Sequence, residues 1–127
     1  MLSYVTIGAL DAEVSNRFYD AVLGAIGWKA HADNPGWRGY SLGGQGEGQS
    51  VWVCQPFNGE AATVGNGSMV AFEAKSQAEV HAFFEAAMAN GGSDDGAPGP
   101  RPDYGPNWYA TYLRDPVGNK LAAVFFG

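Results

Sequence analysis

The sequence predicts an α+β protein in which two βαβββ modules form a curved mixed sheet around a central cup, with the helices on its outer face. Two amphipathic stretches have helical spacing, and each follows one short apolar strand and precedes further strands. The two stretches also resemble each other: aligning Ala12-Glu13-Val14 with Ala78-Glu79-Val80 superposes Phe18 on Phe84. Similarity at about half the chain length indicates an internal repeat.

In the first module, residues 2–7 alternate between two faces, as an opening strand does. Asp11 then stands where a helix N-cap is expected, and Val14 and Phe18 begin an apolar stripe at helical spacing. Gly24 and Gly27 end that helix. Further strands are predicted at residues 28–32, 37–42 and 50–55, with a turn at 34–36 and a glycine-rich connection at 43–49.

The second module opens with a predicted strand at residues 68–75. Ser76 and Glu79 form a capping box, and the helix that follows ends at Gly91-Gly92. Residues 93–107 read as a Gly/Pro-rich loop before two strands, 108–114 and 119–126, which Asp115-Pro116-Val117-Gly118 joins as a type I turn. We predict one domain, residues 1–127, made of modules at about 1–66 and 67–127.

Composition restricts the partners and the compartment. The net charge is −6, so an anionic nucleic acid or membrane surface is a poor partner. The single cysteine, Cys54, forms no intrachain disulfide, which agrees with a reducing compartment. No segment has the roughly 20 apolar residues of a membrane helix or the pattern of a signal peptide. We therefore predict a cytoplasmic protein.

Three stretches resemble the vicinal-oxygen-chelate superfamily, which includes glyoxalase I, extradiol dioxygenases, and bleomycin- and fosfomycin-resistance proteins. They are residues 4–28 with the ending F-Y-x-x-V-L-G, residues 69–92, and residues 97–124 with the turn D-P-x-G-N. Together they span nearly the whole chain. The resemblance implies the paired-module fold, a homodimer, and a cup whose divalent metal polarises adjacent substrate oxygens as a Lewis acid.

The metal ligands implied by the resemblance are not carried by this sequence. The opening-strand His falls on Tyr4, the second module's His on Met69 and the closing Glu on Ala122. The first module's closing strand offers Trp52, Val53 and Cys54, and no carboxylate. Thioether and methyl groups do not usefully bind Zn²⁺, Mg²⁺ or Mn²⁺. We therefore predict no metal and no cofactor.

The same positions predict an apolar and aromatic cup. If Tyr4, Met69 and Ala122 face the cup, alternation places Thr6, Ala71 and Val124 there too, and places Val5, Ile7, Phe72, Leu121 and Phe125 under the helices. A cup of this kind suits a flat aromatic or apolar ligand. The alternative is that these side chains simply fill the cup. The predicted ligand-binding residues are Tyr4, Trp52, Cys54, Met69, Arg101, Tyr104, Trp108 and Tyr109.

Several of these candidates have a second interpretation. Arg101 could pair with a ligand carboxylate or phosphate, or with Asp103 or another acid as a surface residue. The aromatic residues near it could be a ligand wall or a dimer interface. On the strand at 37–42, Trp37 and Tyr40 face opposite sides, and packing is the favoured role for both.

The titratable candidates are weaker. Glu73 is the acid nearest the cup in sequence; buried there, it would have a raised pKa and could act as a general base. His31 and His81 have no carboxylate at ligand-like spacing, so we interpret them as solvated or partly buried. Cys54 has no neighbouring His and reads as a buried, inert thiol.

Three functional hypotheses follow. The first is a non-catalytic protein that binds a small apolar or aromatic molecule, similar to the bleomycin-resistance branch of the superfamily. The second is a lyase or dioxygenase-type enzyme with a non-standard active site that uses Tyr4, Glu73 or Arg101. The third is a degenerate member that serves protein–protein association. Whether the protein is an enzyme stays open at this point.

Overall fold

The computed structural model describes residues 1–127 and confirms the α+β class: two helices and two separate sheets. The strands thus form two hydrogen-bonded sheets, one from each half of the chain, which do not join edge to edge. Neither helix is long and apolar enough to cross a membrane.

The first half forms a four-stranded sheet with one helix. Its elements are β1 (Tyr4–Gly8), α1 (Ala12–Gly24), β2 (Trp28–Asn34), β3 (Trp37–Leu42) and β4 (Ser50–Cys54). The strand order is β1-β4-β3-β2, in which β1 runs parallel to β4 and the other pairs are antiparallel. The main difference from the prediction is that β2 continues to Asn34, as far as the turn itself.

The second half repeats this arrangement with one addition. Its elements are β5 (Val70–Glu73), α2 (Gln77–Ala89), β6 (Ser93–Asp94), β7 (Gly99–Pro100), β8 (Trp108–Arg114) and β9 (Lys120–Phe126). The order is β5-β9-β8-β6, and β7 also pairs with β8. The predicted loop at 93–107 was therefore wrong in part, since β6 and β7 lie within it. Two residues are too few to show an alternating pattern, so only pairing with β8 reveals them.

Both predicted helix N-caps are confirmed. The Asp11 carboxylate accepts the Val14 N–H at 3.2 Å, and Ser76 Oγ accepts the Glu79 N–H at 3.1 Å. Glu79 returns its carboxylate to the N–H of Lys75, one residue before the cap, at 2.8 Å. These contacts satisfy N–H groups that a helix start leaves free.

The core lies between the helices and one face of each sheet. As alternation predicts, Ile7, Phe72 and Leu121 are buried there, with Val5 and Phe125 packed against them. The two helices also contact each other. Across the halves, the Trp28 ring meets the Phe72 ring edge-on at 5.3 Å.

The carboxylate of the D-P-x-G-N turn is buried and joins the two halves. Asp115 Oδ1 accepts three N–H groups of its own turn, each at 2.9 Å. Its Oδ2 accepts the Tyr19 hydroxyl of α1 at 2.5 Å and the Asn119 amide at 2.9 Å. The Asn119 amide also donates to the Gly8 carbonyl at the end of β1. This acid therefore has a structural role, because it links its own turn in the second half to α1 in the first half.

Candidate ligand-binding cleft

A wide cleft of about 1260 Å³ opens on the face of the first sheet that points away from α1. We call it the aromatic cleft. All of its lining residues lie between Ser3 and Thr63, and its aromatic members are Tyr4, His31, Trp37, Trp52 and Phe57. The cleft therefore belongs to one half of the chain, whereas the sequence predicted a cup shared by both.

The Trp52 side chain forms the floor of the aromatic cleft, because Gly39 leaves room for it. Trp52 lies opposite Gly39 in the β3–β4 pair, and a Cβ on Gly39 would come within 2.6 Å of the Trp52 ring. Trp37 packs beside it, with ring centroids 5.1 Å apart. Trp37 and Tyr4 keep 45% and 59% of their surface exposed, so both offer ring surface to a ligand.

His31 supplies an oriented polar group beside this floor. Its ring stands edge-on to Trp52 at a centroid distance of 5.2 Å. A hydrogen bond of 2.9 Å joins His31 Nδ1 to Ser41 Oγ, which also accepts the Gly46 N–H. The β2–β3 register shifts at this point, between Ala30 and Ala32. A strand bulge therefore sets the position of the imidazole, and the glycine-rich connection is tied to the same hydroxyl.

The wall of the aromatic cleft is polar, and its longest groups come from the segment after β4. Thr6 and Ser50 present hydroxyls from the sheet, while Gln55, Asn58 and Glu60 line the opposite side. Cys54 also lines the cleft and is half-buried. Burial raises the pKa of the Cys54 thiol, which favours the protonated form and opposes a role as nucleophile.

Met69 lies outside the aromatic cleft. It is 45% exposed and borders a separate cavity of about 250 Å³ that also reaches Thr6. Ala122, on the cup-facing side of β9, is fully buried with Ala110 and Val124, and the second half's own Trp108 and Tyr112 pack against this group. Here the filled-cup alternative describes the molecule.

The Arg101 side chain binds the backbone of its own loop. Its guanidinium donates to the carbonyls of Ala97, Gly99 and Pro100, at 2.8, 2.9 and 3.3 Å, and lies over the Tyr112 ring. It forms no ion pair with Asp103 or any other acid. The side chain thus fastens residues 97–101 over the second sheet, which differs from both interpretations of the sequence.

The remaining predicted residues of the second half form two groups. The Tyr104 ring packs edge-on against Trp108, which in turn contacts Phe126 on β9. Tyr109 points to the opposite face of β8, where its hydroxyl and His81 Nε2 are 2.6 Å apart. Tyr109 therefore packs on the α2 side and lines neither the aromatic cleft nor the second sheet's cup-facing side.

Glu73 is exposed, so the prediction that it is buried in the cup was wrong. Its proposed role as a general base depended on that burial. Glu73 borders an apolar groove of about 580 Å³ between the two halves, together with Tyr4, Leu42 and Phe126.

The positions that the resemblance assigns to metal ligands do not fit a divalent cation. Ala122 has no donor atom and is buried, Met69 offers a thioether, and Tyr4 lines a different cavity from Met69. No group of three or more His, Cys, Asp or Glu side chains in the chain is arranged to hold a metal ion. We therefore derive no step through a metal.

Sequence reasoning underrated two cleft residues, His31 and Trp37. Alternation shows which face a residue shares but not whether that face is open, so the sequence alone favours a packing role for Trp37. The usable signal was Gly39, because a glycine inside a strand often marks close approach of another group.

No protein-family model and no curated protein matches the chain, but solved structures do. A glyoxalase/bleomycin resistance protein from Albidiferax ferrireducens is 38% identical with a TM-score of 0.86, covering 98% of this chain and 97% of that one. A glyoxalase-related enzyme from Fulvimarina pelagi is 24% identical (TM-score 0.77, covering 98% and 87%). A glyoxalase/bleomycin resistance protein/dioxygenase family enzyme from Burkholderia phytofirmans is 22% identical (TM-score 0.75, covering 98% of each chain). These last two structures support the fold alone.

These matches define a protein of the vicinal-oxygen-chelate fold. The chain belongs to the glyoxalase/bleomycin resistance protein family.

Proposed function

We propose that this protein binds a small flat aromatic molecule in the aromatic cleft and does not transform it. The observation that carries the proposal is the pair of packed indoles, Trp37 and Trp52, tilted by 45° to each other at the floor of an open cleft. Aromatic side chains bury large areas, and ring pairs add about 0.5–1.5 kcal/mol beyond burial. A few polar groups, His31 among them, would orient the ligand.

The proposal assigns no chemical step to the cleft. The donor set at Tyr4, Met69 and Ala122 does not suit the metal on which the family's Lewis-acid chemistry depends. A family resemblance alone does not transfer an activity. The 38% identical relative is a glyoxalase/bleomycin resistance protein, and the bleomycin-resistance branch that the sequence resembles supports a binding function.

A thermal-shift screen with soluble bicyclic aromatic compounds tests this function. A ligand present at a hundred times its Kd should stabilise the fold by about 2.7 kcal/mol. Trp37→Leu should weaken binding about tenfold or more, because it removes an exposed ring from the cleft. The matched control is Tyr104→Leu, which removes an exposed ring of the second half and should leave the Kd unchanged. Loss of binding only in the control would move the site to the second half.

We also propose a homodimer. The apolar groove between the halves exposes Leu2, Leu42 and Phe126, which supports contact with a second copy. Light scattering coupled to gel filtration should give twice the chain mass of 13.4 kDa, and Phe126→Glu should give the mass of one chain. A single-chain mass for the unmodified protein would contradict this.

A cytoplasmic location is proposed as well. The free thiol of Cys54 supports it, because reducing compartments keep such thiols unpaired. Cell fractionation is the direct measurement.

A further inference from the structure

The charges around the aromatic cleft are one-sided. No lysine or arginine lines it, and its one carboxylate is Glu60. Glu60 is exposed and forms no ion pair, and its backbone N–H is held by Asn58 at 2.9 Å. The carboxylate therefore remains available to a ligand. The net charge of −6 adds a long-range field of the same sign.

The arginine next to Trp37 in sequence is engaged elsewhere. Arg38 lies on β3 beside Trp37, but its guanidinium points to the helix face and pairs with Asp20 and Asp33 at 3.0 Å each. Burial opposes its charge, but the hydrogen bonds that the guanidinium donates to Asp20 and Asp33 outweigh this, so the pKa of Arg38 lies above its ordinary value. No lysine or arginine thus lines the aromatic cleft to hold an anionic ligand.

The aromatic faces favour the same sign of charge. Indole and phenol rings carry negative potential on their faces, and they attract a cation within about 6 Å of the ring centre. Tyr4 and Trp37 each leave about half of their surface free for such a contact. A cation in the cleft would then meet ring faces below and a carboxylate at the wall.

We propose that the ligand is a planar aromatic cation, such as a ring system with a quaternised nitrogen. This inference rests on the proposed binding function and adds its charge class. The open ring surfaces of the packed indoles select a flat ligand, and the ring faces with Glu60 select positive charge. An anionic aromatic molecule of the same shape would meet the Glu60 carboxylate and find no lysine or arginine in the cleft.

Three probes that share one ring test the charge selection: N-methylquinolinium, quinoline and quinoline-6-carboxylate, titrated by calorimetry into the full chain at neutral pH. We expect the cation to bind about tenfold tighter than neutral quinoline. The carboxylate should bind weakest. Raising the salt concentration should lower the affinity for the cation and leave the affinity for quinoline unchanged.

Variants assign the selection to Glu60. Glu60→Gln should weaken the binding of N-methylquinolinium about threefold, as expected for loss of an exposed charge pair. The affinity for quinoline should not change. Glu85→Gln removes an exposed acid on α2, outside the cleft, and should change neither probe. Equal loss in both variants would reduce the effect to net charge and overturn the role of Glu60.

The outcomes separate the two proposals. Quinoline binding as tightly as the cation, with both weakened by Trp37→Leu, would overturn the charge selection and support the binding function. Tightest binding of the carboxylate would overturn it as well. Absence of any Trp37-dependent binding among the three probes would overturn both the charge selection and its basis in the aromatic cleft.

Discussion

The absence of a side chain at Gly39 determines the shape of the aromatic cleft. The Trp52 ring crosses the strand where any larger side chain would stand, so the ring lies flat and Trp37 can pack beside it. The sequence places a glycine and a tryptophan on two neighbouring strands. Their contact follows only from the β3–β4 register, which pairs Gly39 with Trp52.

Gly39→Ala should lift the Trp52 ring and remove the flat floor. We expect a loss of about 1–3 kcal/mol in unfolding free energy, the usual cost of overpacking, and a clear loss of affinity for aromatic probes. Denaturant titration and calorimetry measure the two effects. Gly24→Ala is the matched control: no atom lies within 4 Å of its added Cβ, so a stabilisation of about 0.4–1 kcal/mol is expected. A tolerated Gly39→Ala with normal binding would contradict this account of the floor.

The Tyr19 hydroxyl is the other single group on which much depends. It is buried and donates to Asp115 at 2.5 Å, from one half of the chain to the other. Tyr19→Phe should cost about 1.5–3 kcal/mol, because a hydrogen bond to a charged group is lost and the carboxylate stays buried. Tyr104→Phe removes an exposed hydroxyl and keeps the ring, so it should change the unfolding free energy by less than about 0.5 kcal/mol. Equal midpoints in urea for both variants would contradict a stabilising role of the Tyr19–Asp115 hydrogen bond.

At the scale of elements, local signals gave the helices and the long strands. Asp11 and Ser76 mark helix starts through contacts within four residues, so sequence spacing is sufficient to find them. By contrast, β6 and β7 form only through partners on β8, and the bulge beside His31 depends on β3. Such features arise from pairing and carry no periodic pattern of their own.

The cap of α2 offers a test at this scale. Ser76→Ala should lower the unfolding free energy by about 1 kcal/mol, because the Glu79 N–H loses its acceptor. Ser93→Ala, an exposed serine outside the helices, should change stability by less than about 0.5 kcal/mol. Urea midpoints of the two variants that coincide would show that the cap contributes nothing.

At the scale of the whole molecule, the sequence predicted the fold class and the family but not the location of the open cavity. Alternation correctly assigned which residues lie under the helices. It could not reveal that Trp108 and Tyr112 pack over Ala122, or that Arg101 fastens residues 97–101 across the second sheet. Those contacts depend on how a Gly/Pro-rich segment folds back, which residue spacing does not specify. The open cleft therefore belongs to the first half alone.

Two buried phenols make the whole molecule lose stability at alkaline pH. Burial, and then the neighbouring carboxylate, raises the pKa of Tyr19 beside Asp115 and of Tyr40 beside Asp20. The folded state therefore keeps both protons above about pH 10, where an unfolded tyrosine releases its own. Their contribution is fully present below about pH 10 and is lost as the pH rises toward the folded pKa, at up to about 1.4 kcal/mol per pH unit for each phenol.

Removing these phenols should flatten the alkaline part of the profile. The double variant Tyr19→Phe/Tyr40→Phe is expected to be less stable than the parent at neutral pH but to lose less stability above about pH 10. Urea titrations across the alkaline range measure the slope, with Tyr104→Phe as the control that should keep it. Because burial also raises the pKa of Cys54, every chain in the series should carry Cys54→Ala. If the unfolding free energy of the double variant falls as steeply with pH as that of its parent, the alkaline sensitivity comes from other groups. It would then not depend on the Tyr19–Asp115 contact between the halves.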